Sequence, residues 1–231
     1  MRDQEAVFVA EGPRCVGELL ASGNTALKEL LATASWWDTH AEIAARIPDN
    51  RKTLITEKEL VRISSLTTPH EVLAVFSRPV FPANWLQQSP WTLVLDAIQD
   101  PGNMGTIIRC ADWFGVRRVV CSEETTDAYA AKVVQASMGS LSRVQVLYTE
   151  LHAFLDAHPG VPVYTAVTDG QDIAGFSGKK PGLLIIGNEA KGIRSSLRQR
   201  PSVIPVTIPR KGQAESLNAA VATGILLSYL T

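Results

Sequence analysis

Three short stretches of this chain bring together amides, a carboxylate, a hydroxyl and a guanidinium at spacings that ordinary packing does not require. The first is Asp100-Pro101-Gly102-Asn103, followed six positions later by Arg109. The second is Gly187-Asn188-Glu189, and the third is Ser216-Leu217-Asn218. Each follows an apolar run and precedes a helical pattern: strand, polar turn, helix. In the first, Asn103 is placed to cap a helix whose apolar positions Met104, Ile107, Ile108 and Ala111 share one face. Arg109 falls off that stripe, and Gly115 supplies the stop. In the second, Gly187 lets a ligand approach the backbone and Asn188 or Glu189 begins a helix. In the third, Ser216 and Asn218 open an Ala-rich helix. Strand–turn–helix units with polar tips present sites at the carboxyl edge of a parallel sheet. Alone, each unit also reads as an ordinary βα connection with a surface arginine or a capping side chain. Three in one domain favour a site.

The absent motifs narrow the chemistry. There is no GxGxxG, no GxxxxGK[ST] and no GxSxG, which disfavours a dinucleotide fold and excludes a P-loop and a nucleophile elbow. His40, His70, His152 and His158 sit outside every glycine-rich turn and never pair at metal-ligand spacing, so histidine acid/base chemistry and zinc hydrolysis are disfavoured. Cys15, Cys110 and Cys121 form no CxxC pair and read as reduced, mostly buried thiols. The net charge is −1. Between Lys191 and Lys211, however, stand Lys191, Arg194, Arg198, Arg200, Arg210 and Lys211, a candidate phosphate-facing surface or else a solvated helix face.

The elements that must position these residues fall into two units. With 231 residues, 45% apolar, the chain accommodates a small and a medium domain. No run approaches ~18 apolar residues, so no membrane span is expected. The first residues do not make a signal peptide, and a cytoplasmic location is expected. Residues 6–88 read as an α/β unit. It comprises a strand over Ala6–Ala10, a helix from Val16 ending at Gly23, and helices over Ala26–Leu31 and His40–Ile47. Thr56 and Glu59 form a capping box opening a helix through Leu66, and a strand covers Val72–Phe76. Pro79, Pro82 and Pro90 mark a linker over 77–90. Trp36, Trp37 and Trp85 are read as packing residues. From Trp91 onward strands are expected over Leu93–Leu95, Val116–Cys121, Val144–Leu147, Val161–Val167, Leu183–Ile186 and Val203–Ile208. Helices are expected over 104–114, 127–138, 150–157, roughly 189–199 and Ser216–Leu230. Continuous apolar strands alternating with helices predict a mostly parallel sheet covered on both faces.

The three stretches resemble the signature motifs of the SpoU/TrmH family of RNA ribose 2′-O-methyltransferases, in the SPOUT superfamily. Asp100-Pro-x-Asn-x-Gly with Arg109, Gly-Asn-Glu-x-x-Gly, and Ile208-Pro209 followed by Glu215-Ser-Leu-Asn218 occur in the family's order. The resemblance covers 91–231. Residues 1–76 resemble the accessory substrate-binding domain, a small α/β unit similar to a ribosomal-protein fold, through Phe8-Val-Ala-Glu-Gly12 and Leu66–Val75. It implies a parallel sheet with a deep trefoil knot, a homodimer, and S-adenosylmethionine as methyl donor. It places Asn103 and Arg109 at the ribose and phosphate, Glu189 in support of catalysis, and Ser216 and Asn218 at the reacting group. Thr165, Ala166, Gly187, Ile208 and Leu217, with Ser216 and Asn218, would hold the donor. With an accessory domain, ribosomal RNA is expected over transfer RNA; the alternative is a non-catalytic RNA-binding or ribosome-assembly protein. Arg210-Lys211 stands where the family more often has Met, Ala214 where Val is common, and Glu71 where Gly is frequent. No motif polar residue is lost.

Overall fold

The structure, a computed structural model, describes residues 5–82, 84, 89–175 and 180–231. Trp85 and part of the 77–90 stretch lie outside the described residues.

The amino-terminal unit contains β1 (Val7–Glu11), α1 (Pro13–Ser22), β2 (Leu27–Ala32), α2 (Ala34–Thr39), α3 (Ala41–Arg46), β3 (Lys52–Leu54), α4 (Glu57–Ile63) and β4 (Val72–Ser77). Its strands form one sheet in the order β1-β4-β2-β3, with β4 antiparallel to both neighbours. Helix α1 stops at Gly23 in the left-handed region, as the sequence predicts, but begins at Pro13, three residues before Val16. The capping box is present, Thr56 and Glu59 each taking the other's backbone N–H, although α4 stops at Ile63, short of Leu66. The helix expected over Ala26–Leu31 is instead strand β2. A register shift between Leu27 and Glu29 lets residues three apart both point inward, so Leu27 and Leu30 are buried. The bulge gives a strand a helix-like apolar spacing.

The second unit contains β5 (Thr92–Asp96), α5 (Pro101–Trp113), β6 (Arg118–Cys121), α6 (Ala131–Ser137), β7 (Gln145–Tyr148), α7 (Leu151–Asp156), β8 (Val163–Asp172), β9 (Leu183–Gly187), α8 (Ser195–Arg198), β10 (Val203–Thr207) and α9 (Ala219–Leu230). The sheet order is β10-β8-β9-β5-β6-β7 and every pairing is parallel. Alternation along the buried strands builds two cores. Leu93, Leu95, Leu184 and Ile186 face Met104, Ile107, Ile108, Leu226 and Leu227, whereas Val94, Leu183 and Ile185 face Leu151, Leu155, Ile193 and Leu197. At Gly105 a Cβ would stand 2.5 Å from that of Ala136 and 2.7 Å from the Val133 carbonyl, so α5 and α6 meet almost backbone to backbone.

The two units share contacts. Phe8 packs on Tyr129 with ring centroids 5.4 Å apart, and Asn24 Nδ2 donates to the Ser142 carbonyl at 2.9 Å. Arg143 reaches both Glu18 and Asp112. The three cysteines are free; Cys15 and Cys121 are buried, and burial pushes the Cys15 thiol up to about 11. Trp36 is buried against Trp37 and His40 in the amino-terminal core. Among the described residues no helix is long and apolar enough to cross a membrane, and no cluster of three His, Cys, Asp or Glu side chains could hold a metal.

Candidate functional site

Because all six strands run in one direction, the connections after β5, β9 and β10 leave from the same edge. The connection after β10 then has to pass the ends of β8 and β9 to bring α9 against α5, where Cys110 meets Ala220 and Gly224. This crossing brings the third stretch onto the first.

In the first stretch the cap of α5 is Asp100, not Asn103. The Asp100 side chain accepts from the Asn103 N–H at 2.7 Å, and Pro101 occupies the first turn, where its missing N–H is harmless. Asn103 is thereby released from capping, and its amide turns to other loops. Its Nδ2 donates to Glu189 Oε1 at 2.8 Å, and its Oδ1 accepts from Asn218 Nδ2 at 2.8 Å.

The second stretch forms a tight turn, not the helix expected over roughly 189–199. Asn188 and Gly192 exchange backbone hydrogen bonds of 3.1 and 2.9 Å, and Gly192 lies at φ +67. Asn188 Oδ1 accepts from the N–H groups of Ala190 and Lys191, while its Nδ2 donates to the Ala97 carbonyl at 2.8 Å. An asparagine that satisfies its neighbours' N–H groups competes with helix formation, and only the short α8 follows. Gly187 is required by this turn: a Cβ there would lie 2.3 Å from Ile193 N. Glu189 is carried at the tip.

In the third stretch the helix begins at Ala219, later than the Ser216 start expected. Asn218 is the cap, its Oδ1 accepting from Ala220 and Val221 N–H at 3.0 and 3.2 Å. These bonds fix the direction of the whole chain of contacts. With Oδ1 committed to the helix, Asn218 must donate from Nδ2, so Asn103 receives on Oδ1 and must donate from its own Nδ2 to the carboxylate. Three loops distant in sequence thus orient one carboxylate oxygen of Glu189, leaving its other oxygen without a hydrogen bond among the described residues.

Three of the predicted site residues, Asn103, Glu189 and Asn218, are brought into contact. Arg109 and Ser216 are not bonded to them. Arg109 is exposed on α5 and, among the described residues, makes no hydrogen bond or ion pair. Ser216 and Leu217 are exposed beside Asn218, Leu217 with 49% of its surface free. Thr165 is buried on β8, registered with Ile185 and Pro205, and β8 then loops out through 166–170 before pairing again at Gln171 with Val206. Ala166 therefore stands where β8 leaves its regular pairing, Gly187 ends β9, and Ile208 follows the last residue of β10.

The basic window from 191 to 211 is not one free surface. Arg194 binds Asp96 and Glu124, Arg198 binds Asp169, and Arg200 binds Asp156. The acids lie far away in sequence, which is why the stretch reads as uncompensated. The Asp96 carboxylate holds the Arg194 guanidinium above its ordinary range. Lys191 and Lys211 have no such partner among the described residues, and Arg210 only reaches the Ala214 carbonyl from Nη1 at 3.3 Å. Sequence reasoning missed Asp96, whose signal was a carboxylate ending an otherwise apolar strand.

Fold and site together define an α/β protein whose polar constellation is assembled from three loops at one edge of a parallel sheet. The chain belongs to the SpoU rRNA Methylase family, whose model matches residues 90–228. A second model, the MRM3-like substrate binding domain, matches residues 1–74. The chain is 32% identical over 237 residues to the 23S rRNA (guanosine(2553)-2'-O)-methyltransferase RlmP of Bacillus subtilis, covering 99% of this chain and 90% of that one. It is 34% identical over 173 residues, 68% of this chain and 59% of the other, to a 23S rRNA (uridine(2479)-2'-O)-methyltransferase of Streptomyces viridochromogenes. A crystal structure of an AdoMet-bound rRNA methyltransferase from Sinorhizobium meliloti superposes with a TM-score of 0.80 at 31% identity, covering 99% of this chain and 88% of that one.

Proposed function

We propose that this protein transfers a methyl group from S-adenosylmethionine to a ribose 2′-hydroxyl in ribosomal RNA. The observation that carries the reading is the Asn218–Asn103–Glu189 chain of hydrogen bonds, which spends three loops on orienting one carboxylate. The two 23S rRNA relatives support the RNA class, and with it a cytoplasmic location. A non-catalytic RNA-binding role has no observation in its favour, since every motif polar residue is retained.

The donor supplies an electrophilic methyl carbon on a sulfonium. Such a group is suited by the backbone at Thr165-Ala166, where β8 leaves its regular pairing, by Gly187 and Ile208 at the ends of β9 and β10, and by the exposed apolar side chain of Leu217. Ser216 and Asn218 stand next to them. The protein's remaining task is to align the ribose and take its proton. Holding reactants in line contributes up to roughly 7–11 kcal/mol. Arg109 carries a delocalised guanidinium with donors only and no lone pair free to take a proton; it clamps the phosphate beside the target ribose and stabilises the developing alkoxide. As the new C–O bond forms and the C–S bond breaks, the hydroxyl proton leaves to Glu189 or to the clamped phosphate.

We assign 1–76 to substrate binding, 77–90 to a linker and 91–231 to the methyltransferase unit; the separate sheets and the match over 1–74 support that division. The passage of 208–218 across the sheet edge is consistent with the family's trefoil knot. A homodimer through α5 and α9 is supported by their exposed apolar side chains, Trp113 at 85% and Val221 at 51% free.

Thermal unfolding tests the donor assignment. At a concentration 100 times its Kd, S-adenosylmethionine adds about 2.7 kcal/mol, which raises Tm by roughly 5–11 °C for a chain of this size. A nicotinamide cofactor leaves Tm unchanged. Stabilisation by the nicotinamide and not by the sulfonium contradicts the assignment.

A further inference from the structure

We propose that Asp96 and Arg194 are positioning residues for the reaction: an ion pair beneath the Glu189 turn whose geometry sets the rate of methyl transfer. The inference rests on the proposed reaction and adds two residues to it that lie outside the three motif tips.

Asp96 ends β5 in register with Gly187, and only 2% of its surface is exposed. A carboxylate so placed has to be matched by donors. Among the described residues all of them come from one: the Arg194 backbone N–H at 2.8 Å, its Nε at 2.7 Å and its Nη2 at 2.6 Å. Arg194 is the residue at which the turn after β9 ends and α8 begins. Its Nη2 also reaches Glu124, in the connection after β6, at 3.2 Å. The start of the same turn is tied to the residue after Asp96, through Asn188 Nδ2 and the Ala97 carbonyl. Ala97 itself sits at φ +57, held by the bond from its N–H to Ser122 Oγ at 3.0 Å.

Residues 96 and 97 therefore grip both ends of the turn, and Glu189 lies between the grips. The two ties differ in what they can fix. The Asn188 bonds close the turn locally and survive if Asp96 is altered. The fork of Arg194 onto Asp96 fixes the tilt of the closed turn against β5, and hence the place of Glu189 relative to Asn103. Loosening it leaves a folded turn with a displaced carboxylate. Displacements of about 1 Å at reacting groups cost up to 10²-fold in rate.

The test compares the full chain as wild type, Asp96→Asn, Arg194→Gln and the double variant. Single-turnover methyl transfer from radiolabelled S-adenosylmethionine is measured on ribosomal RNA from cells lacking the gene, and donor binding is titrated by calorimetry on the same samples. Donor stoichiometry, donor Kd and the half-saturating RNA concentration are expected within about twofold of wild type, while each single variant is slowed about tenfold or more. The double variant is expected to be no slower than the slower single one, because the two residues act as one unit. A wild-type rate per donor-binding site overturns the proposal and leaves the pair a purely structural role. Rate losses that multiply in the double variant overturn it as well. Should Asp96→Asn not fold, Arg194→Lys decides in its place: it keeps the counter-charge but loses the fork, and an unchanged rate refutes the proposal. Absence of transfer by the wild type contradicts the proposed reaction instead.

Discussion

Asn103 and Glu189, 86 positions apart, are joined by a 2.8 Å hydrogen bond from the Asn103 amide to the Glu189 carboxylate. The amide can donate only because its oxygen is already taken by Asn218, and Asn218 can donate only because its oxygen caps α9. The direction of this contact is thus set by a helix N-terminus, so each of its members is expected to have its own mutational signature.

Asn103→Asp replaces a donor with a second carboxylate against Glu189. Two carboxylates at hydrogen-bond distance cannot both ionise freely, so one takes up a proton at a raised pKa and thereby restores a donor. Methyl transfer by this variant is expected to fall at pH 8. Its rate relative to wild type then rises on acidification to pH 6. A ratio that is flat with pH shows that the contact does not govern the rate.

Asn218→Ala loses a helix cap, which costs about 0.5–2 kcal/mol of stability, and frees the Asn103 amide to rotate. Donor binding, read by calorimetry, is expected to survive while methyl transfer falls. Abolished donor affinity contradicts the role given to Asn218.

Arg109→Lys keeps a cation but cannot form a bidentate fork on phosphate. A charge-assisted bond of that kind is worth about 1.5–3 kcal/mol, so turnover is expected to drop roughly 10- to 100-fold. Near-normal turnover in a steady-state assay rules out the clamp.

Much of this is legible in the sequence. The polar tips, their order and the βα alternation of residues 91–231 identify the sheet and the site-bearing edge. What escapes is of two kinds. The β2 bulge at Leu27/Glu29 gives a strand a helical apolar period, which no local pattern separates from a helix. The partners of Asp96, Arg194, Arg198 and Arg200 depend on chain crossings that bring residues 29 to 98 positions apart together, so the basic window reads as more open than it is. Asn103 reads as the cap of α5 because capping geometry favours Asn and Asp alike; the structure gives that place to Asp100.

Of that window, Arg210 and Lys211 stay exposed, carry no carboxylate partner among the described residues, and precede Asn218 in the third loop. If both meet RNA phosphates, Arg210→Ala/Lys211→Ala weakens RNA binding and flattens the plot of log affinity against log salt by about 0.7–0.9 for each phosphate no longer neutralised. Filter binding across a salt series reads this directly. An unchanged slope assigns the two bases to solvent.

The central claim, that this chain methylates a ribose 2′-hydroxyl in ribosomal RNA, is tested most directly by mapping ribose methylation nucleotide by nucleotide in RNA from cells with and without the gene. One ribose is expected to lose its 2′-O-methyl group without the gene and to regain it when the purified protein and S-adenosylmethionine are added to that RNA, but not with Asn103→Ala protein. Identical methylation maps, or a restored methyl group on a base instead of a ribose, would contradict it.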